Sequence, residues 1–278
     1  MSNVVTPQNI HIATEILSSE NAKVIAGGTD LMVRIKQGVL KPDVIVDITR
    51  IESLRGIESA KDWIEIGAAT TLSEILGNPN IPALLKDAIS NIGSPQIRNL
   101  GTIGGNIVNA SPAGDTLVPL YLYGATVTTT GCIEREIPIE EFILGPGKTV
   151  LKRGEILKKI KIPLLEGYNH IFEKVGERSA MSISIVSMGI LYKLKDGILQ
   201  DIKVAFGSVH PTVIRIKELE TLLKGQKIES ETLTEASKII ENTIKPITDI
   251  RATATYRKKV ASRLIYKLLE ITHQGGNA

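Results

Sequence analysis

The sequence predicts an α+β protein in two parts. Near the N-terminus a glycine pair, Gly27-Gly28, joins an apolar strand to a helix, and a second apolar strand follows. A further glycine-, asparagine- and proline-rich passage occupies residues 93–115. The last third differs from both: two β-rich runs meet at Asp196-Gly197, and three helical stretches come after them.

Taken in order, apolar spacing predicts a helix over 9–17 and a buried strand over 22–26. Gly27-Gly28 breaks that strand, residues 30–37 read as a helix, and Gly38 is a natural stop. A second strand covers 44–48. The next unit begins with a strand over 63–68 and continues with helices over 71–76 and 83–92. Few regular elements fit 93–115, and long irregular loops inside compact domains are usually functional. A helix over 116–123 and a strand over 125–130 close this region. The runs 183–194 and 198–209 form a hairpin, because Asp196-Gly197 suits a type I′ turn with positive φ. Helices are expected over 213–223, 232–243 and 255–271, the last with Val260, Leu264, Leu268 and Ile271 on one face. A boundary near 163–168 divides the chain into 1–165 and 166–278, and the first part subdivides at about 56/57.

Composition removes several function classes. Of 278 residues, 42% are hydrophobic and 23% charged, which is ordinary globular usage. Basic and acidic residues number 33 and 30, for a net charge of +3, whereas a nucleic-acid reader concentrates positive charge on one face. Aromatics at 4% leave few stacking platforms for single strands. The single cysteine, Cys132, excludes an internal disulfide, a thiolate zinc site and an iron–sulfur cluster ligated by this chain. No basic-then-apolar leader is visible, and no apolar run reaches the roughly 18 residues of a membrane span, so a cytoplasmic location is expected.

Two loops carry the candidate chemistry. In Ala26-Gly27-Gly28-Thr29-Asp30-Leu31 the glycines allow close approach of a ligand to the backbone, and the following helix start offers N–H groups suited to phosphate. The alternative is a plain tight turn with Thr29 or Asp30 as N-cap. The second loop, Thr102-Ile103-Gly104-Gly105-Asn106, continues to Asp115. Main-chain donors there suit a pyrophosphate, and the Asp115 carboxylate suits a ribose diol. Alternatively Asp115 caps the helix that starts at 116. Neither loop has Rossmann or Walker A spacing.

These residues resemble the two FAD signatures of the medium subunit of xanthine dehydrogenases and related molybdenum hydroxylases. The likeness continues through Gly154-Glu155-Ile156-Leu157, Phe172-Glu173-Lys174-Val175, Ala205-Phe206-Gly207-Ser208-Val209, Asp249-Ile250-Arg251-Ala252 and Tyr256-Arg257. It covers nearly the whole chain in order. The resemblance implies an FAD-binding PCMH-type, vanillyl-alcohol-oxidase-like domain of two subdomains, and a C-terminal domain with an antiparallel sheet and helices. Carried over by position, Ala26 to Leu31 and Thr102 to Asn106 would cradle the pyrophosphate and Asp115 would take the ribose. Leu157 would line the flavin region, and Lys174 and Arg178 would lie near the isoalloxazine. Ile92 stands where relatives place an aromatic ring against adenine, and Met181-Ser182 replaces acidic residues common in relatives.

The resemblance further implies electron transfer rather than substrate chemistry in this chain. Hydroxylation would occur at molybdopterin in a large partner subunit. Electrons would pass through [2Fe–2S] clusters of a small partner subunit to FAD here, then to NAD or another acceptor. Thr29 and Asp30 occupy the stretch where some flavin oxidases place a histidine for covalent attachment, so FAD is expected to be non-covalent. The Gly27-Gly28-Thr29-Asp30 form favours xanthine or N-heterocycle dehydrogenases over carbon monoxide dehydrogenases, which more often have Gly-Gly-His-Ser. A carbon monoxide or nicotinate-type enzyme and a stand-alone flavin oxidase are the alternatives. His11, His170, His210 and His273 show no paired spacing for a metal.

Overall fold

The computed structural model describes residues 2–19, 21–178 and 181–274. They form two compact units. The first comprises the described residues up to Pro82, Ile92–Ser111 and Tyr123–Leu164; the second comprises Ala83–Asn91, Pro112–Leu122 and the described residues from Leu165 onward.

The chain begins with β1 (Asn3–Val5), α1 (Ile10–Ser19), β2 (Ala22–Ile25), α2 (Leu31–Lys36) and β3 (Val44–Asp47). The three strands form a parallel sheet in the order β1-β3-β2, in which Val46 pairs with both Val5 and Val24. Ala13 and Leu17, one helical turn apart on α1, bury against Val46, Ile48 and Leu54. The strands expected over 22–26 and 44–48 are present. β1 was not expected, because three residues carry no readable period.

Next come β4 (Ile57–Ser59), β5 (Trp63–Gly67), α3 (Leu72–Gly77), α4 (Ala83–Ser90), α5 (Pro95–Leu100), α6 (Ile103–Val108) and α7 (Leu117–Tyr123). After them run β6 (Thr126–Thr130), β7 (Arg135–Pro138), α8 (Ile139–Phe142), β8 (Ile143–Gly145), β9 (Lys148–Thr149) and β10 (Ile156–Pro163). The second sheet of the first unit has the order β4-β5-β10-β6-β7 and is antiparallel throughout. Its central strand, β10, pairs Ile160 with Ile66 on one side and Val127 on the other, all three fully buried. The passage 93–115, expected to be irregular, instead contains α5 and α6. Ser94 accepts from the Ile97 N–H, Pro95 follows in the first turn, and Thr102 accepts from the Gly105 N–H at 3.1 Å. Six-residue helices are too short to show periodicity, and Gly104-Gly105 disguises the second.

The second unit is built on β11 (Asn169–Gly176), β12 (Ser184–Lys195), β13 (Ile198–Gly207) and β14 (Ile214–Arg215), antiparallel in that order. Alternation along β12 sorts its two faces. Val186, Met188 and Ile190 join the core made with α9 (Lys217–Leu223), α10 (Ser230–Thr243), α11 (Ala254–Leu264) and α12 (Leu268–Gln274). The opposite face receives α4 and α7: a Cβ on Gly189 would lie 2.7 Å from Val118 and 2.8 Å from Leu122. Both faces are therefore covered, which is why β12 reads as one apolar run. The hairpin turn has Asp196 at φ 52 and Gly197 at φ 75, as a type I′ turn requires.

Two boundaries differ from expectation. The helix expected from 213 begins at Lys217, because Ile214 pairs with Phe206 and the Arg215 guanidinium grips Glu220 at 2.8 Å. The helix expected over 255–271 is interrupted by a 3₁₀ turn at Ile265–Lys267.

Candidate functional site

In the first unit the two glycine loops touch. A Cβ on Gly27 would lie 1.8 Å from Leu100 O and 2.4 Å from Leu100 C, so only glycine lets β2 turn beneath the end of α5. Gly28 then adopts φ 68, and a Cβ on Gly101 would sit 3.6 Å from Thr29 Oγ1. Asp30 stands at the cap position of α2 but makes no side-chain cap bond; its exposed carboxylate lies 3.8 Å from Arg34. Among the described residues, no acceptor receives the N–H groups of Gly27, Gly28, Thr29, Asp30 or Leu31. The first loop thus holds a run of unpaired main-chain donors on half-buried backbone, the arrangement that binds a diphosphate.

The second loop is held differently. The Ile103 N–H donates to Thr70 O at 3.1 Å, Gly104 to Ala68 O at 2.9 Å, Gly105 to Thr102 Oγ1 and Asn106 to Thr102 O. The donors from Ile103 to Asn106 are therefore committed to protein acceptors, and the glycines do separate work. Gly104 lies against the chain: a Cβ there would be 2.6 Å from both Ala68 Cβ and Ala68 O. Gly105 is exposed and offers the open surface of the loop. Ala68 is the residue that sequence reasoning missed. Its N–H donates to Lys158 O at the bulge of β10, next to buried Leu157, while its carbonyl receives Gly104. Two hydrogen bonds thereby connect the Leu157 strand to the second loop. Nothing but its small side chain singles Ala68 out in sequence. On the other side Ile92 is tied down through its carbonyl by Arg98 at 2.9 Å.

In the second unit Asp115 and Lys174 meet. Lys174 Nζ donates to Asp115 Oδ2 at 2.6 Å and to Asn91 O at 2.8 Å, and the two side chains are 8% and 5% exposed. The lysine is thus a buried clamp, not a solvated surface charge. The Asp115 carboxylate is engaged by it, while Oδ1 is buried and has no partner among the described residues. Burial pushes the Asp115 carboxyl up to about 6 against the pull of the Lys174 ammonium. An unsatisfied buried acceptor of this kind costs on the order of 1–3 kcal/mol, a cost that a ligand hydroxyl removes. In the first unit the N–H groups of the first loop suit an anion. In the second unit the unpartnered oxygen of Asp115 suits a hydroxyl donor.

Other candidates lie elsewhere. Arg178 and Met181 are exposed, while Ser182 Oγ donates to Arg178 O. His170 pairs with Asp87 at 2.9 Å, His210 Nδ1 is buried with no partner among the described residues, Cys132 is exposed, and the His273 side chain falls outside the described residues. Among the described residues no three His, Cys, Asp or Glu side chains group as metal ligands, and no helix is long and apolar enough to cross a membrane.

Residues 1–165 match the family described as the FAD binding domain in molybdopterin dehydrogenase, and residues 171–272 match the CO dehydrogenase flavoprotein C-terminal domain. The chain is 33% identical over 253 residues to the glyceraldehyde dehydrogenase medium chain of Sulfolobus acidocaldarius, covering 90% of each. It is 31% identical over 264 residues to a xanthine dehydrogenase FAD-binding subunit of Escherichia coli O157:H7, covering 91% of this chain and 89% of that one. Its fold superposes on a chain of the Cu,Mo-CO dehydrogenase with a TM-score of 0.91 at 27% identity, covering 97% and 96%. With its two touching glycine loops and family matches over residues 1–165 and 171–272, the chain belongs to the family of FAD-binding medium subunits of the molybdenum hydroxylases.

Proposed function

We propose that this chain carries non-covalent FAD and passes electrons from the [2Fe–2S] clusters of a small partner subunit to NAD or another acceptor. Substrate is hydroxylated at molybdopterin in a large partner subunit. The carrying observation is the main-chain contact between Gly27 and Leu100, which sets a loop of unpaired N–H donors beside a second, internally braced glycine loop. Bound FAD supplies the electron-transfer chemistry; the chain supplies binding and orientation.

In this reading the N–H groups from Ala26 to Leu31 receive the pyrophosphate, while Thr102 to Asn106 shape the opposing wall through the exposed backbone of Gly105. Asp115 accepts from the ribose, Leu157 excludes water from the flavin region, and Lys174 and Arg178 lie toward the isoalloxazine. The domains run 1–165 and 166–278, and the protein works in the cytoplasm. Cys132 being the sole cysteine assigns the clusters to partner chains.

Relatives named for glyceraldehyde, nicotinate and xanthine share 31–33% identity, so the hydroxylated substrate follows from the partner subunit rather than from this chain. The reading is tested in an assembled complex freed of flavin. Substrate should still bleach the partner's iron–sulfur absorbance, while reduction of NAD or another physiological acceptor should stop. Continued reduction of that acceptor without flavin would refute the electron-transfer role.

A further inference from the structure

We propose that Lys174 is a positioning residue for Asp115: anchored on Asn91 O, it holds one carboxylate oxygen and leaves Oδ1 as the acceptor for a hydroxyl of the bound nucleotide. This deepens the FAD reading and rests on it.

The geometry separates the two oxygens. Oδ2 is 2.6 Å from Nζ and Oδ1 has no partner among the described residues, although the side chain is only 5% exposed. Asn91 follows α4 and Asp115 precedes α7, so one ammonium ties the ends of both covering segments to β11. Lys174 pairs in register with Ser187 of β12, whose hydroxyl is likewise buried with no partner among the described residues, and Ser187 pairs with Gly207 of β13. Among the described residues, Lys174 is the charge that acts on the Asp115 carboxyl. On α4, Asp87 is engaged by His170 at 2.9 Å and Lys86 is half-buried. On β11, Glu173 pairs with Lys267 at 3.4 Å, and on β13 Lys203 packs over the Tyr168 ring at 5.6 Å. α7 contributes the phenols of Tyr121 and Tyr123, and β12 places only Ser187 opposite Lys174.

Burial lifts the Asp115 carboxyl to about 6, so its charge changes within an accessible pH range. The neutral acid is the weaker acceptor. Removing an opposite charge at this distance raises a carboxyl by roughly one to three pH units. The sign is therefore fixed: without Lys174, Asp115 ionises only at higher pH.

The test is FAD affinity of the full-length chain, read by quenching of flavin fluorescence from pH 5 to 9, with circular dichroism at each pH. Wild type should bind evenly above pH ~7 and lose about tenfold as pH falls through about 6. In K174M that inflection should move up by at least about one pH unit, so that the deficit at neutral pH is recovered near pH 9. K174R should restore the wild-type profile, and D115N should remove the inflection. A uniform, pH-independent loss in K174M, or an inflection that persists in D115N, overturns the proposal. Should K174M fail to fold, K174R and D115N still decide. Absence of FAD binding in wild type at every pH would instead overturn the FAD reading.

Discussion

Gly27→Ala is the sharpest perturbation of the site. The added Cβ would lie 1.8 Å from Leu100 O, where ordinary contact begins near 3.4 Å, a shortfall of about 1.6 Å. Both partners are main chain, so no side chain can swing away. Either the first loop or the end of α5 must move by more than an ångström. Displacement of positioned groups by about 1 Å costs on the order of 100-fold. Gly27→Ala should therefore weaken FAD binding by at least about 100-fold in equilibrium titration. The strain falls on a half-buried loop, so unfolding free energy should drop by only about 1–3 kcal/mol in urea. Gly77→Ala is the control: nothing lies within 4 Å of its Cβ, and it should bind FAD as wild type does. Wild-type affinity in Gly27→Ala would refute the account of the loop contact.

Further expectations concern the supporting structure. Gly104→Val drives a side chain into Ala68, 2.6 Å from the Cβ position, and should cost about 1–3 kcal/mol in denaturant midpoint while also lowering FAD content. Burial opposes ionisation of Asp249, but the Arg251 and Ala252 N–H groups and the Arg257 guanidinium hold its carboxyl at about 2. Its stabilisation is therefore complete above about pH 4 and disappears as pH falls through about 2, and an acid-unfolding curve of Asp249→Asn should lack that component. At pH 7, Asp249→Ala should cost on the order of 3 kcal/mol by urea titration, because Arg257 is only 4% exposed and loses its carboxylate. Phe206→Ala should destabilise by about 3–5 kcal/mol through a cavity in the core of the second unit, measured calorimetrically.

What could be read from the sequence followed physical signal strength. The strands around Ile25 and Val46 and the Asp196-Gly197 hairpin are legible because apolar runs and a positive-φ dipeptide are local signals. The loops at Gly27 and Gly104 are also legible as glycine clusters, but their division of labour is not. That Gly27 faces Leu100 while Gly104 faces Ala68 depends on residues distant in sequence. β4, β7 and β11 escape notice for the same reason: β11 has no fully buried residue, so its alternation is blurred, and the other two span only three or four residues. Lys174 looks like any surface lysine until Asn91 and Asp115, 83 and 59 residues away, close around it.

Absorbance of the purified chain measures directly whether this polypeptide holds flavin. After incubation with FAD and gel filtration, the chain should retain close to equimolar flavin, with bands near roughly 370 and 450 nm that denaturation releases into solution. A colourless chain that takes up no FAD, alone or within its assembled complex, would contradict the account.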